Sequence, residues 1–233
     1  MSNEISKYLQ KFFNSFYSKY KHNYRKFIDV FLRAYERDTR GLSDIDKLLV
    51  KDLNSIINML RAVRIDTLHE MRDFILRYRI NYKYVYVVDC LGLPELYALW
   101  CRANETGFMP IVKAFINQKA TTRAFKEVFG DETLGQVAED VGGLVFRKLD
   151  TLLHSEIFKE LKSRNESVEL LVGRMRYVVS LLPLMKDNIM IFSDHGYDVI
   201  RIDSKYIAKH THIRRTRIAL AKLAPVMLLK RIR

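Results

Sequence analysis

The sequence predicts an α/β fold: a mainly parallel sheet flanked by helices, preceded by an α-helical N-terminal region. Two patterns predict it. Over the first 80 positions apolar residues recur at three- and four-residue steps, and from residue 82 onward short β-branched and aromatic runs alternate with helix-like segments. Such alternation implies βαβ units with right-handed crossovers. The change of period divides the chain into a helical region, 1–79, and an α/β domain, 80–233.

Taken in order, Ile5, Tyr8, Leu9, Phe12, Phe13, Phe16, Tyr17 and Tyr20 form one face of a helix or of two. In "GLSDIDKLLVKDLNSIINMLRAVR", Ser43 is placed as an N-cap ahead of Leu49, Leu53, Ile56, Ile57 and Leu60, and "DTLHEMRDFILRYR" reads as a further helix. "YKYVYVVDCLG" is a buried strand with almost no helix former, and "PELYALWCRAN" a helix opened by Pro94. "FMPIVKAFI" is a second strand, "TTRAFKEVF" a short helix stopped by Gly130, and "GLVFRKLD" a third strand. A long helix, about 155 to 185, then precedes the strand "NIMIFSD".

Forty Lys and Arg against 27 Asp and Glu give a net charge of +13, which favours a polyanionic partner such as nucleic acid over a neutral metabolite. The excess concentrates in "KYKHNYRK" and in "HIRRTRIALAKLAPVMLLKRIR". Cys90 and Cys101, the two cysteines, form no CxxC pair, so a disulfide framework and a zinc finger are excluded and a reducing cytoplasm fits. No run reaches the roughly 18 apolar residues of a membrane span, and "MSNEISKYLQKFF" lacks the apolar core of a signal peptide. The expectation is a cytoplasmic protein without membrane contact, its N-terminal helices being available to a partner protein.

Three predicted strands end in a carboxylate: Asp89 in "VYVVD", Asp150 in "LVFRKLD" and Asp194 in "IMIFSD". Carboxyl ends of strands in open α/β sheets line the ligand crevice, so these acids are expected to converge there. His154 follows Asp150 by four residues, His195 follows Asp194 directly, and His210 and His212 come later. Mixed oxygen and imidazole donors suit Zn²⁺ or Mn²⁺ better than Ca²⁺ or Mg²⁺. Helix capping explains each acid separately, but not why a histidine follows two of them.

"VDCLG", "LDTLLH" and "FSDHGY", in that order, resemble the PglZ domain, a branch of the alkaline phosphatase superfamily, over roughly residues 80 to 230. The resemblance implies a phosphoesterase with an alkaline phosphatase-like core and two divalent ions, Zn or Mn. By it, Asp89, Asp194 and His195 hold one ion, and Asp150, His154 and a late histidine, His212 or else His210, hold the other. It further implies a Ser or Thr nucleophile, for which "KATTRAF" supplies Thr122 in preference to Thr121, with Lys119, Arg123 or Arg147 beside the phosphoryl oxygens. PglZ proteins are associated with phage-defence systems such as BREX, so the implied substrate is a nucleic-acid phosphodiester. The family's Pro-Ser lead-in is missing before Thr122, which leaves a second expectation: a catalytically silent module that binds nucleic acid or a partner protein.

Overall fold

The computed structural model describes residues 2–154, 160–181, 187–210 and 218–232, with backbone alone at 153, 154 and 181. Helices α1 (Ser2–Tyr20), α2 (Tyr24–Glu36), α3 (Asp44–Ala62) and α4 (Leu68–Tyr78) come first. Their boundaries follow from local chemistry: Asn23 caps α2 by accepting from Lys26 N, and Ser43 caps α3 by accepting from Asp46 N. The predicted apolar stripe of α1 is buried at Ile5, Leu9, Phe12, Phe13 and Phe16, while Tyr8 turns outward.

Then follow β1 (Tyr84–Val88), α5 (Leu93–Glu105), β2 (Phe108–Ile116), α6 (Thr122–Phe129), α7 (Leu134–Asp140), β3 (Leu144–Phe146), α8 (Lys148–His154), α9 (Arg164–Leu181), β4 (Ile189–Ser193), β5 (Asp198–Ile202), β6 (Lys205–Lys209) and β7 (Leu223–Arg231). Pro94 sits in the first turn of α5, where a missing N–H costs nothing, and Gly130 closes α6 at φ 81°. Helix α1 shares one continuous core with α2, α3 and α5: Phe27 stacks on Tyr97 at 4.2 Å, and Phe13 lies 5.4 Å from both Tyr97 and Trp100.

The five-stranded sheet has the order β2-β7-β4-β1-β3 and is mixed. Strands β1, β3 and β4 are parallel neighbours, but β7 runs antiparallel to both β4 and β2. The expected common direction holds for β1, β2, β3 and β4, and the last strand alone departs from it, inserting between β2 and β4 against their direction. Pro225 is tolerated in this inner strand because it pairs only with Ala114 of β2, the β4 register beginning one residue later at Val226. The outer edge of β2 is closed by side chains: Ser6 Oγ accepts from Ala114 N at 2.9 Å and Thr67 Oγ1 from Ile116 N at 2.8 Å.

Two further expectations change. Strand β3 stops at Phe146, so Asp150 lies in the first turn of α8 and not at a strand end. Among the described residues of the long predicted helix, 160–163 are not helical: Lys162 bridges to Tyr206, and the helix begins at Arg164. The β5–β6 hairpin, joined at Asp203 and Ser204, adds a second, two-stranded sheet beyond the predicted strands. Among the described residues no helix is long and apolar enough to cross a membrane.

Candidate metal centre and nucleophile

Register brings the first two acids together. Val88 of β1 pairs with Ser193 of β4, so Asp89 and Asp194 leave adjacent parallel strands at one level, at the carboxyl edge of the sheet. His195 follows, and a ligand atom from each of Asp89, Asp194 and His195 lies within 4.8 Å of the others. Among the described residues this is the one such cluster of His, Cys, Asp and Glu. It is buried, with Asp194 0% and His195 1% exposed.

The turn after β1 serves the site through its backbone. Cys90 adopts φ 56°, a left-handed conformation costly for a residue with a side chain, and donates its N–H to Asp194 Oδ1 at 3.1 Å. Leu91 N donates to Ser193 Oγ at 2.9 Å, and that hydroxyl donates to the carbonyl of His195 at 2.9 Å. Gly196 permits close packing of this turn, since a Cβ there would meet Leu220 O at 2.7 Å.

The electrostatics leave room for positive charge. Burial raises the Asp89 carboxyl to about 8, with Asp194 and then Asp150 adding to the rise and Arg147 opposing it. Its Oδ1 is buried with no hydrogen-bond partner among the described residues. His195 Nδ1 lies 2.9 Å from Gly196 O, a carbonyl that can only accept, so Nδ1 carries a proton, and Nε2 lies 3.3 Å from Asp194 Oδ2. A ring nitrogen this close to a carboxylate oxygen is held by a proton or a cation between them. An orphaned carboxylate oxygen beside it makes this donor set fit a divalent ion.

Thr122 completes the group. It is the first residue of α6, and its Oγ1 donates to Asp194 Oδ2 at 2.6 Å while lying 3.4 Å from His195 Nε2. Thr121 is occupied otherwise: its hydroxyl caps α6 by accepting from Ala124 N. Asp150 is near enough for its charge to raise Asp89 but lies outside the three-residue cluster. His210 stacks on His195 with ring centroids 4.8 Å apart. The side chain of His154, and all of His212, lie outside the described residues. Lys119 and Arg123 both reach Glu127 on the exposed side of α6.

Two residues of the site were not singled out by the sequence: Ser193, whose hydroxyl staples the turn, and Asn117, which joins Thr121 to Asp194. Asn117 is a polar residue directly after an apolar strand, the same signal that marked the acids. No protein-family model matches the chain, and no curated protein matches it.

Proposed function

We propose that the protein is a metal-dependent phosphoesterase acting on phosphodiesters, with Thr122 as nucleophile. The observation that carries this reading is the placement of the Thr122 hydroxyl on Asp194 and beside His195, at the edge where an Asp89 oxygen has no partner among the described residues. Asp89, Asp194 and His195 would hold a divalent ion, Zn²⁺ or Mn²⁺, which when bound lowers the pKa of a coordinated hydroxyl and offsets charge on phosphoryl oxygens. Asp150, with His154 and His210 or His212, is the proposed source of a second set of ligands. The likeness of "FSDHGY" and its companion motifs to the PglZ domain, and to an alkaline phosphatase-like core, belongs to the same proposal.

In this mechanism Asp194 Oδ2 orients the Thr122 hydroxyl and receives its proton as Oγ1 attacks phosphorus. The bond from phosphorus to the leaving oxygen breaks as that oxygen takes the proton from Asp194, and water then attacks the phosphothreonine, its oxygen going to phosphorus and a proton returning to Thr122 Oγ1. The charge of +13 supports a nucleic-acid substrate, and a phage-defence role accords with such a substrate.

The test is hydrolysis of an aryl phosphomonoester, an aryl phosphodiester and plasmid DNA, with Mn²⁺ or Zn²⁺ and with chelator, by wild type and Asp194→Ala. Turnover that needs metal and is lost in Asp194→Ala is expected. Absence of both turnover and bound metal overturns the reading, and salt-sensitive DNA binding without metal would identify a silent binding module instead.

A further inference from the structure

Asn117 follows β2 directly and is fully buried. Its side-chain amide donates twice, to Thr121 O and to Asp194 O, both at 2.9 Å. Its backbone N–H donates to Lys222 O at 2.8 Å, and its carbonyl accepts from Ala120 N at 3.0 Å, closing a turn in which Ala120 takes φ 49°. One side chain thus joins the loop into α6 and the end of β4, with its backbone tied to the segment entering β7. Both amide hydrogens are used on carbonyl oxygens, which fixes the amide's orientation, because a flipped group would set Oδ1 against two acceptors. Oδ1 itself is buried with no partner among the described residues, so the two donated bonds are made at the desolvation cost of a bare acceptor.

We propose that Asn117 is a positioning residue that sets the approach of Thr122 Oγ1 to Asp194 Oδ2. It grips the carbonyl of the residue preceding the nucleophile and the carbonyl of the acid itself. This rests on the reading of Thr122 as nucleophile. Helix α6 does not need Asn117 in order to start, because Thr121 supplies its cap. Losing the clamp therefore leaves α6 formed and loosens its placement against β4. Misplacement of a reacting group by about 1 Å costs about 10²-fold in rate, and because the clamp touches no substrate the loss falls on kcat.

The test compares wild type, Asn117→Ala and the milder Asn117→Ser, which keeps one donor, as full-length chains. Amide hydrogen exchange over 119–125 and 194–196 is read beside metal-dependent kcat and KM for an aryl phosphodiester. Faster exchange in both segments is expected, with kcat lower by about 10- to 100-fold in Asn117→Ala, less in Asn117→Ser, and KM within about twofold. Unchanged exchange in folded variants, or a rise in KM with kcat kept, overturns the proposal. If wild type shows no turnover, the nucleophile reading fails by itself. Exchange then still decides whether Asn117 holds the two segments together, and unchanged exchange overturns that as well.

Discussion

Thr122 and Asp194 stand 72 residues apart in the chain and meet through a 2.6 Å hydrogen bond from hydroxyl to carboxylate. Thr121, its neighbour, spends its hydroxyl on the α6 cap. The two threonines should therefore separate by experiment. Thr122→Ala is expected to lower kcat at least 10³-fold with little loss of stability, and Thr122→Ser to retain most activity. Thr121→Ala should cost about 1 kcal/mol of stability, the usual value of such a cap, and keep turnover within a few-fold. Urea melts and phosphodiester kinetics on the three variants check this; equal kinetic losses at 121 and 122 would remove Thr122 from the nucleophile's role.

Much of this geometry was legible in the sequence because local chemistry dictates it. The Ser43 cap, Pro94 at the start of α5, Gly130 after α6, and the apolar runs of β1, β2 and β4 each depend on residues within one or two turns. The placement of Asp89 and Asp194 also followed, since acids after adjacent parallel strands emerge at one edge. The direction of β7 did not. "LAPVMLLKR" reads as a strand either way, and its antiparallel insertion depends on where the preceding β5–β6 hairpin returns the chain. Asp150 is misplaced because the strand pattern of "LVF" does not mark its own end, and "KLD", poor in strand formers, already belongs to the helix that begins at Lys148. The role of Asn117 was invisible for a different reason: its partners are backbone carbonyls, one of them 77 positions away, which side-chain patterns do not report.

Asp89 provides a pH test. Its carboxyl is raised from 3.8 to about 8 by burial and by the neighbouring acids, so between these values the metal-free folded protein holds a proton that the unfolded chain has released. Stability should consequently fall as pH rises through this window, by up to about 1.4 kcal/mol per pH unit. Urea melts in chelator from pH 5 to 8.5 should show the decline in wild type and a flatter profile in Asp89→Asn. Saturating Zn²⁺ or Mn²⁺ should replace the proton, so that the metal-induced gain in stability grows with pH. A wild-type profile parallel to that of Asp89→Asn would refute the assignment.

Beneath the site, Arg174 Nε meets Glu95 Oε1 at 2.5 Å, Tyr197 Oη donates to both Glu95 oxygens at 3.0 Å, and Arg174 Nη1 donates to Leu149 O at 2.7 Å. The pair is buried, with side chains 4% and 0% exposed. It ties α9 and α5 to the residue before Asp150 and to the segment after His195. Arg174→Met alone leaves Glu95 in the core without its partner and should cost about 3–5 kcal/mol, whereas adding Glu95→Leu should recover a large part of that loss. A double-mutant cycle from denaturant melts measures it; additive losses would mean that the pair is not coupled.

The aromatic contact between α2 and α5 bears on whether the N-terminal helices are a separable region. Tyr97 is fully buried, stacked on Phe27 at 4.2 Å with an interplanar angle of 7°, flanked by Phe13 and Phe16, and its hydroxyl donates to Lys21 O at 2.6 Å. Trp100, one turn further along α5, is 2% exposed and packs on Phe13. Without residues 1–78 these side chains of α5 face water, and burying each is worth about 1.5–3 kcal/mol, a large part of the 5–15 kcal/mol that holds a domain folded. The 79–233 fragment is therefore expected not to fold as a stable monomer. Phe27→Ala in the full chain should cost about 3–5 kcal/mol and shift a single cooperative transition instead of splitting it. Denaturant melts followed by both tryptophan fluorescence and far-UV circular dichroism check this. Non-coincident transitions, or a folded 79–233 fragment that still binds metal, would show that the α/β unit stands without its helical covering.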